Sequence, residues 1–216
     1  MIAAVPAVAA LVWARRRDAV TAQRWLKPAC SALFVATFAL GHPWPDAAYA
    51  RWIGAGLLVG VAGDLALLGK ARRWFAVGLG AFLVGHVCYA AAFLPRWGAG
   101  PGLAAVAAAA GGAALLGGHT LRAAWPLLGS MRIPATVYVG FLAAATVLAL
   151  APALGGALGP SRWVPGLGMA LFLISDVAVA RHRFVEADQH ATLWGPPCYF
   201  AAQQLLALSA GLSAPA

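Results

Sequence analysis

Charge and cysteine are scarce in this chain. Of its 216 residues only 10% are charged, six are acidic and three are cysteines. Cys30, Cys88 and Cys198 show no CxxC pattern and no Cys/His spacing, which argues against a disulfide framework and against a zinc site. HExxH, GxSxG and P-loop motifs are also missing, so the sequence predicts no metal and no cofactor.

What the chain does contain is hydrophobic sequence. Hydrophobic residues make up 62% of it, and the mean hydropathy is +0.81. A helix that spans a membrane needs about 20 mostly apolar residues. We therefore predict an all-α, polytopic transmembrane helical bundle in which residues 1–216 form a single transmembrane domain. About eight spans are expected, at approximately 1–14, 28–44, 51–69, 74–94, 102–121, 133–152, 164–180 and 192–212.

The net charge of +9 would suggest a nucleic-acid partner in a soluble protein. Here the Lys and Arg residues lie between the apolar runs, so we predict no nucleic-acid binding and interpret them as topology signals. Alternate loops, beginning with 15–27, hold twelve of them against three in the others. The positive-inside rule then places both termini outside the cytoplasm. Arg15 to Arg17 follow the first apolar stretch, the reverse of a signal peptide, so that stretch is expected to remain as a short first span.

A weak internal repeat is visible. Residues 56–64 read GLLVGVAGD and residues 168–176 read GMALFLISD, an offset of about half the chain. A duplication of four helices, 1–100 and 101–216, would explain the similarity, as in membrane folds with parallel repeats. Shared Gly, Ala and Leu composition would explain it equally.

Two aspartates stand out because they fall within predicted spans. Asp64 lies in span three and Asp176 in span seven, whereas the other four acidic residues are in loops. A carboxylate at membrane depth is costly unless it faces a partner or a wet cavity, so a functional site is predicted, with interhelical hydrogen bonding as the alternative. Both aspartates are expected about 8–9 Å below the cytoplasmic boundary, at 1.5 Å per residue. Gly56 and Gly60 share the helix face of Asp64 and should admit a close neighbour.

Further polar residues within the spans are expected to converge: Tyr138 at a similar level, the pair on span eight slightly deeper, and the pair on span four nearer the middle of the membrane. Tyr199 and Gln203 share one face of span eight, and His86 and Tyr89 share one face of span four. Each of these side chains is interpreted either as part of a substrate site or as a structural hydrogen-bonding group. Lys27, at the mouth of span two, is either a snorkelling residue or a ligand of a lipid phosphate. The predicted substrate-binding set is Lys27, His86, Tyr89, Tyr138, Ser175, Tyr199 and Gln203.

Several of these residues form two blocks with a recognisable order. The first is Gly63-Asp64-Leu65 with Phe75, Gly78, Phe82, His86 and Tyr89; the second is Phe172, Ser175-Asp176, Ala180 and Phe184 with Tyr199 and Gln203. Lys27-Pro28 and Pro134 with Tyr138 accompany them. Over roughly residues 25–208 this order resembles the bacterial YhhN-like membrane proteins, which are related to animal lysoplasmalogenases.

The resemblance implies an activity. It is cleavage of the vinyl-ether bond of a lysoplasmalogen, or a related lysolipid in the bilayer, to a fatty aldehyde and a glycerophospho-alcohol at the bacterial cytoplasmic membrane. Asp64 and Asp176 would then be the catalytic acid and base, with the assignment between them open, much as two carboxyls flank the oxocarbenium-like state in glycosidases. Lys27 and Arg132 would hold the phosphate.

Two other classes of function stay open at this stage. A proton-coupled transporter would use the same intramembrane Asp, His and Tyr residues as a relay. A purely structural membrane protein would leave the two aspartates without an evident purpose. The sequence makes no prediction of oligomeric state.

Overall fold

The computed structural model describes residues 4–17, 19–69, 71–97, 100–156, 160–185 and 191–212, and the regular structure within these ranges is helical. Each predicted span overlaps a helix, which confirms the all-α class. The helices are α1 (Ala4–Arg16), α2 (Val20–Leu40), α3 (Ala47–Ala66), α4 (Arg72–Phe93), α5 (Leu103–Leu128), α6 (Arg132–Leu154), α7 (Pro160–Ala180) and α8 (Ala191–Leu212). Met1, Lys70 and Ala216, which enter the topology prediction, lie outside the described residues.

Local chemistry sets several helix ends. The Asp46 carboxylate accepts a hydrogen bond from the Tyr49 backbone N–H at 2.9 Å and caps the start of α3. Gly129 separates α5 from α6 with a φ of +54°, a left-handed conformation that favours glycine. A short 3₁₀ turn, Leu94–Trp97, extends α4, and a single π-helical turn, Arg181–Val185, extends α7.

Three segments of the described chain are long and apolar enough to cross a membrane. They are Arg72–Trp97, Leu103–Leu154 and Ser161–Phe184, of which the second includes both α5 and α6. Large apolar side chains also cover the outside of the bundle; for example, Leu103 is 85% exposed and Ile133 is 78% exposed. By contrast, α1 has 13 residues. At 1.5 Å per residue this is about 20 Å, less than the ~30 Å hydrocarbon layer.

The bundle packs mainly through neighbouring helix pairs. α3 packs along α4 and α7 along α8, while α8 also contacts α1, α2 and α3. The predicted small-residue face of α3 is occupied by side chains of α4 and α8. A Cβ on Gly56 would lie 2.3 Å from the Tyr89 ring, and one on Gly60 would lie 2.6 Å from Nε2 of Gln203. The missing side chains therefore make room for two of the predicted site residues.

Candidate functional site

A cavity of about 610 Å³ opens at one end of the bundle. Its walls come from the C-terminal halves of α1, α3 and α7 and the N-terminal halves of α2, α4 and α8. Cations from the Lys- and Arg-rich segments line it, namely Arg15, Arg24, Lys27 and Arg183. Asp64 and Asp176 both line this cavity. The two helices that carry them do not pack against each other within the described ranges, so the cavity lies between α3 and α7.

Asp64 is a buried carboxyl surrounded by donors. The residue is 1% exposed, and the Lys27 ammonium lies 3.2 Å from its Oδ1. Its Oδ2 accepts hydrogen bonds from the hydroxyls of Ser31 and Tyr199, each at 2.8 Å. A buried charge is tolerated when it is paired and hydrogen-bonded. These donors, from α2 and α8, therefore hold the Asp64 carboxyl in one orientation.

The Asp64 donors belong to a longer network. Gln203 donates from Nε2 to the Tyr199 hydroxyl at 3.1 Å, and the Tyr89 hydroxyl donates to Oε1 of Gln203 at 2.8 Å. Tyr199 lines the cavity, whereas Tyr89 and Gln203 are buried behind it. The network thus connects α4 through α8 to α3, and it orients Tyr199 towards Asp64.

Asp176 has a different environment. The Tyr138 hydroxyl donates to its Oδ2 at 2.5 Å, and the residue is half-buried. The neighbouring Ser175 lines the same cavity. Asp176 and Tyr138 also lie on the wall of a second, almost wholly apolar cleft of about 100 Å³. The apolar side chains of this cleft include Leu79, Leu121, Leu128, Met131 and Leu142. Asp176 therefore lies where a polar cavity and an apolar cleft meet.

His86 is enclosed by rings and does not line the described part of either cavity. It is 0% exposed, and its ring centroid lies 4.7 Å from that of Phe172 and 5.3 Å from that of Tyr138. Neither ring nitrogen has a hydrogen-bond partner of normal geometry among the described residues. This environment suits a packing role that holds Tyr138 in position.

Sequence reasoning missed two residues at this site. Ser31, which donates to Asp64, is one helical turn after Lys27, and that spacing was the available signal. Arg15, interpreted above as a topology signal, lines the cavity beside Lys27. Arg132 lies elsewhere: its Nε donates to the Trp125 carbonyl at 3.2 Å, and its guanidinium stacks on the Trp125 ring. Within the described ranges no three His, Cys, Asp or Glu side chains are grouped to hold a metal.

The fold and this geometry define a class: a helical membrane protein in which a cavity with polar walls adjoins an apolar cleft. The YhhN family model matches residues 22–210, so the chain belongs to the YhhN family. This confirms the resemblance drawn from the two sequence blocks. The match begins within α2, and α1 precedes it.

Curated relatives carry the name lysoplasmalogenase. Those of Mycobacterium bovis and Mycobacterium tuberculosis are each 34% identical over 176 residues, covering 78% of this chain and 64% of the relative. "Lysoplasmalogenase TMEM86A" of Bos taurus is 31% identical over 178 residues, covering 80% of this chain and 68% of the relative. The chain thus spans slightly less than two thirds of the length of the mycobacterial relatives. No solved structure matches it.

Proposed function

We propose that this protein is a membrane-embedded hydrolase of the lysoplasmalogenase kind, which cleaves the vinyl-ether bond of a lysolipid. The observation that carries the proposal is the position of Asp176, between the polar cavity and the apolar cleft. A lysolipid has one polar end and one apolar chain, and its ether bond lies between them. A lysolipid bound with its headgroup in the cavity and the first carbons of its chain in the cleft has that bond beside Asp176.

The names of the relatives support the same activity. Proteins called lysoplasmalogenase are 34% and 31% identical to this chain over 78% and 80% of its length. They favour a hydrolase over the proton-coupled transporter. Both predicted catalytic carboxyls, moreover, lie in one cavity large enough to admit a lipid headgroup.

In the arrangement that we propose, eight helices cross the bacterial cytoplasmic membrane as one domain, with both termini outside the cytoplasm. The positive-inside rule then places the Lys- and Arg-rich end of the bundle, and with it the mouth of the cavity, on the cytoplasmic side. A lysolipid phosphate at that interface would place the ether bond a little deeper, near the level of the two aspartates. A duplication of four helices, residues 1–100 and 101–216, is part of the same proposed arrangement.

The first chemical step is protonation of carbon. Asp176 transfers its carboxyl proton to the vinyl carbon β to the ether oxygen, and the double-bond electrons form the new C–H bond. The cation that results is an oxocarbenium ion, with its charge shared between the other vinyl carbon and the oxygen. Asp176 takes the acid role because Tyr138 contacts only one of its oxygens, which leaves the other to carry the proton.

Addition of water completes the reaction. A water molecule attacks the positively charged carbon and gives its proton to the Asp64 carboxylate, which Lys27, Ser31 and Tyr199 hold in place. The resulting hemiacetal breaks its bond to the ether oxygen, which takes the proton held by Asp64 and leaves as the glycerophospho-alcohol, while the hemiacetal O–H proton passes to Asp176 and restores both carboxyls. The other product is the fatty aldehyde. The sum is the lysolipid plus one water, with no oxidant and no reductant.

The test is an assay of purified protein in detergent micelles with three matched lysolipids that share a headgroup and chain length. We expect aldehyde from the 1-alkenyl compound and no cleavage of the 1-alkyl or 1-acyl compounds. Neither the alkyl ether nor the acyl ester has the vinyl double bond whose carbon Asp176 protonates in the first step. Absence of aldehyde, or fatty-acid release from the acyl compound at an equal rate, would refute the proposal.

A further inference from the structure

The helix that precedes the family match also contributes to the cavity. α1 packs against α2 and α8, and its Leu11 and Ala14 are fully buried. The Gln23 side chain of α2 donates from Nε2 to the Ala14 carbonyl at 3.4 Å. The last turn of α1 is therefore held in place. That turn directs Arg15 into the cavity wall, whereas the adjacent Arg16 is exposed.

On the described wall of the cavity, positively charged side chains outnumber acidic ones. Arg15, Arg24, Lys27 and Arg183 line the cavity, and Asp64 and Asp176 are the acidic residues on its described wall. Lys27 already pairs with Asp64 at 3.2 Å. Nε of Arg15 is buried and has no hydrogen-bond partner in the described part of the chain. Among the described residues, the acid that acts on the Arg15 guanidinium is Asp64, which is already paired with Lys27.

We propose that Arg15 binds the anionic phosphate of the lysolipid headgroup and so determines the substrate class: a lysolipid that carries a phosphate, in preference to a neutral alkenyl glycerol. This proposal rests on the proposed function. Guanidinium groups suit phosphate because their fork of N–H donors matches two phosphate oxygens. The phosphate also brings a negative charge to Arg15, since Lys27 is committed to Asp64. α1 then sets specificity from outside the segment that the family model matches.

The first experiment measures kcat and KM of wild type, R15Q, R15K and the exposed neighbour R16Q on a 1-alkenyl lysophospholipid and on 1-alkenylglycerol. For R15Q we expect kcat/KM on the phospholipid to fall about 10- to 100-fold, mainly through KM, as expected for loss of charged hydrogen bonds. On the neutral substrate it should change less than threefold. R15K keeps the positive charge but loses the forked N–H donors, so its kcat/KM on the phospholipid should lie between those of wild type and R15Q. R16Q should have the kcat/KM of wild type.

Two results would overturn the proposal. One is a fall in kcat/KM of equal size on both substrates in R15Q, which would mean that Arg15 acts on Asp64 or on folding. The other is no change in kcat/KM on either substrate.

The second experiment is independent of catalysis. It measures the thermal midpoint with a non-cleavable 1-alkyl lysophospholipid and with 1-alkylglycerol. The phospholipid should stabilise wild type, R16Q and, more weakly, R15K, but not R15Q. Equal stabilisation of R15Q would refute the phosphate contact, even if the protein cleaved no lysolipid.

Discussion

The Lys27–Asp64 pair gives the sharpest test of how this site is held together. Lys27 is 7% exposed and Asp64 is 1% exposed, so the small energies of surface salt bridges do not apply. Removing one partner from a buried pair leaves an uncompensated charge, which typically costs about 3–5 kcal/mol. We expect Lys27→Met and Asp64→Asn each to lower the free energy of unfolding by at least ~3 kcal/mol. The double variant should lose much less than the sum, because neither charge then remains alone.

The measurement is a double-mutant cycle from SDS-induced unfolding in mixed micelles, followed by circular dichroism. We expect a coupling energy of about 2 kcal/mol or more, at the upper end of the range for contacting residues. Arg51→Met, which removes an exposed cation from the same helix as Asp64, serves as the control and should change stability by less than about 0.5 kcal/mol. Single-variant losses that add to within about 0.5 kcal/mol in the double variant would refute the buried ion pair.

Four further outcomes follow from the structure. Gly60→Ala should destabilise the protein by about 1–3 kcal/mol and slow turnover, because the added Cβ would displace Gln203. Gly80→Ala is the control: a Cβ there would meet no atom within 4 Å, so neither stability nor turnover should fall. Thermal unfolding and the aldehyde assay check both variants. Asp176→Asn should reduce aldehyde release about 10²–10⁴-fold, and a loss of only two- or threefold would contradict its role as the acid. His86→Gln should slow turnover less than Asp176→Asn, since His86 does not line the described cavity walls; an equal loss would assign it a direct role. Cysteine labelling in intact cells should reach both termini from outside, and a protected N-terminus would mean that the first helix does not span.

The helices were predictable because apolar runs of about 20 residues, separated by Pro- and Gly-rich segments, leave little choice of structure. The pairing of Tyr199 with Gln203 was also within reach, since residues at i and i+4 share a helix face. Which helices meet was not predictable. Lys27 contacts Asp64 only because α2 and α3 pack together, and sequence spacing cannot reveal such a contact.

Arg15 was predicted as a topology residue, and its place in the cavity wall was not predicted. In the sequence it is one of three consecutive arginines after an apolar stretch, a pattern that fits the positive-inside rule. Only the packing of α1 against α2 and α8 separates it from Arg16 and directs it to the cavity. His86 is the opposite case. Its chemistry suggested substrate contact, but its enclosure among Tyr89, Tyr138 and Phe172 gives it a packing environment.

The central claim is that cleavage begins with transfer of a proton to carbon, and one measurement addresses it directly. The reaction is run in D₂O with a 1-alkenyl lysophospholipid, and the aldehyde is trapped at once and analysed by mass spectrometry. Authentic aldehyde incubated under the same conditions corrects for exchange with solvent. The account predicts one deuterium on the carbon next to the carbonyl, because the Asp176 proton equilibrates with solvent before transfer. Aldehyde formed by the enzyme without that deuterium would contradict protonation of the vinyl ether at carbon.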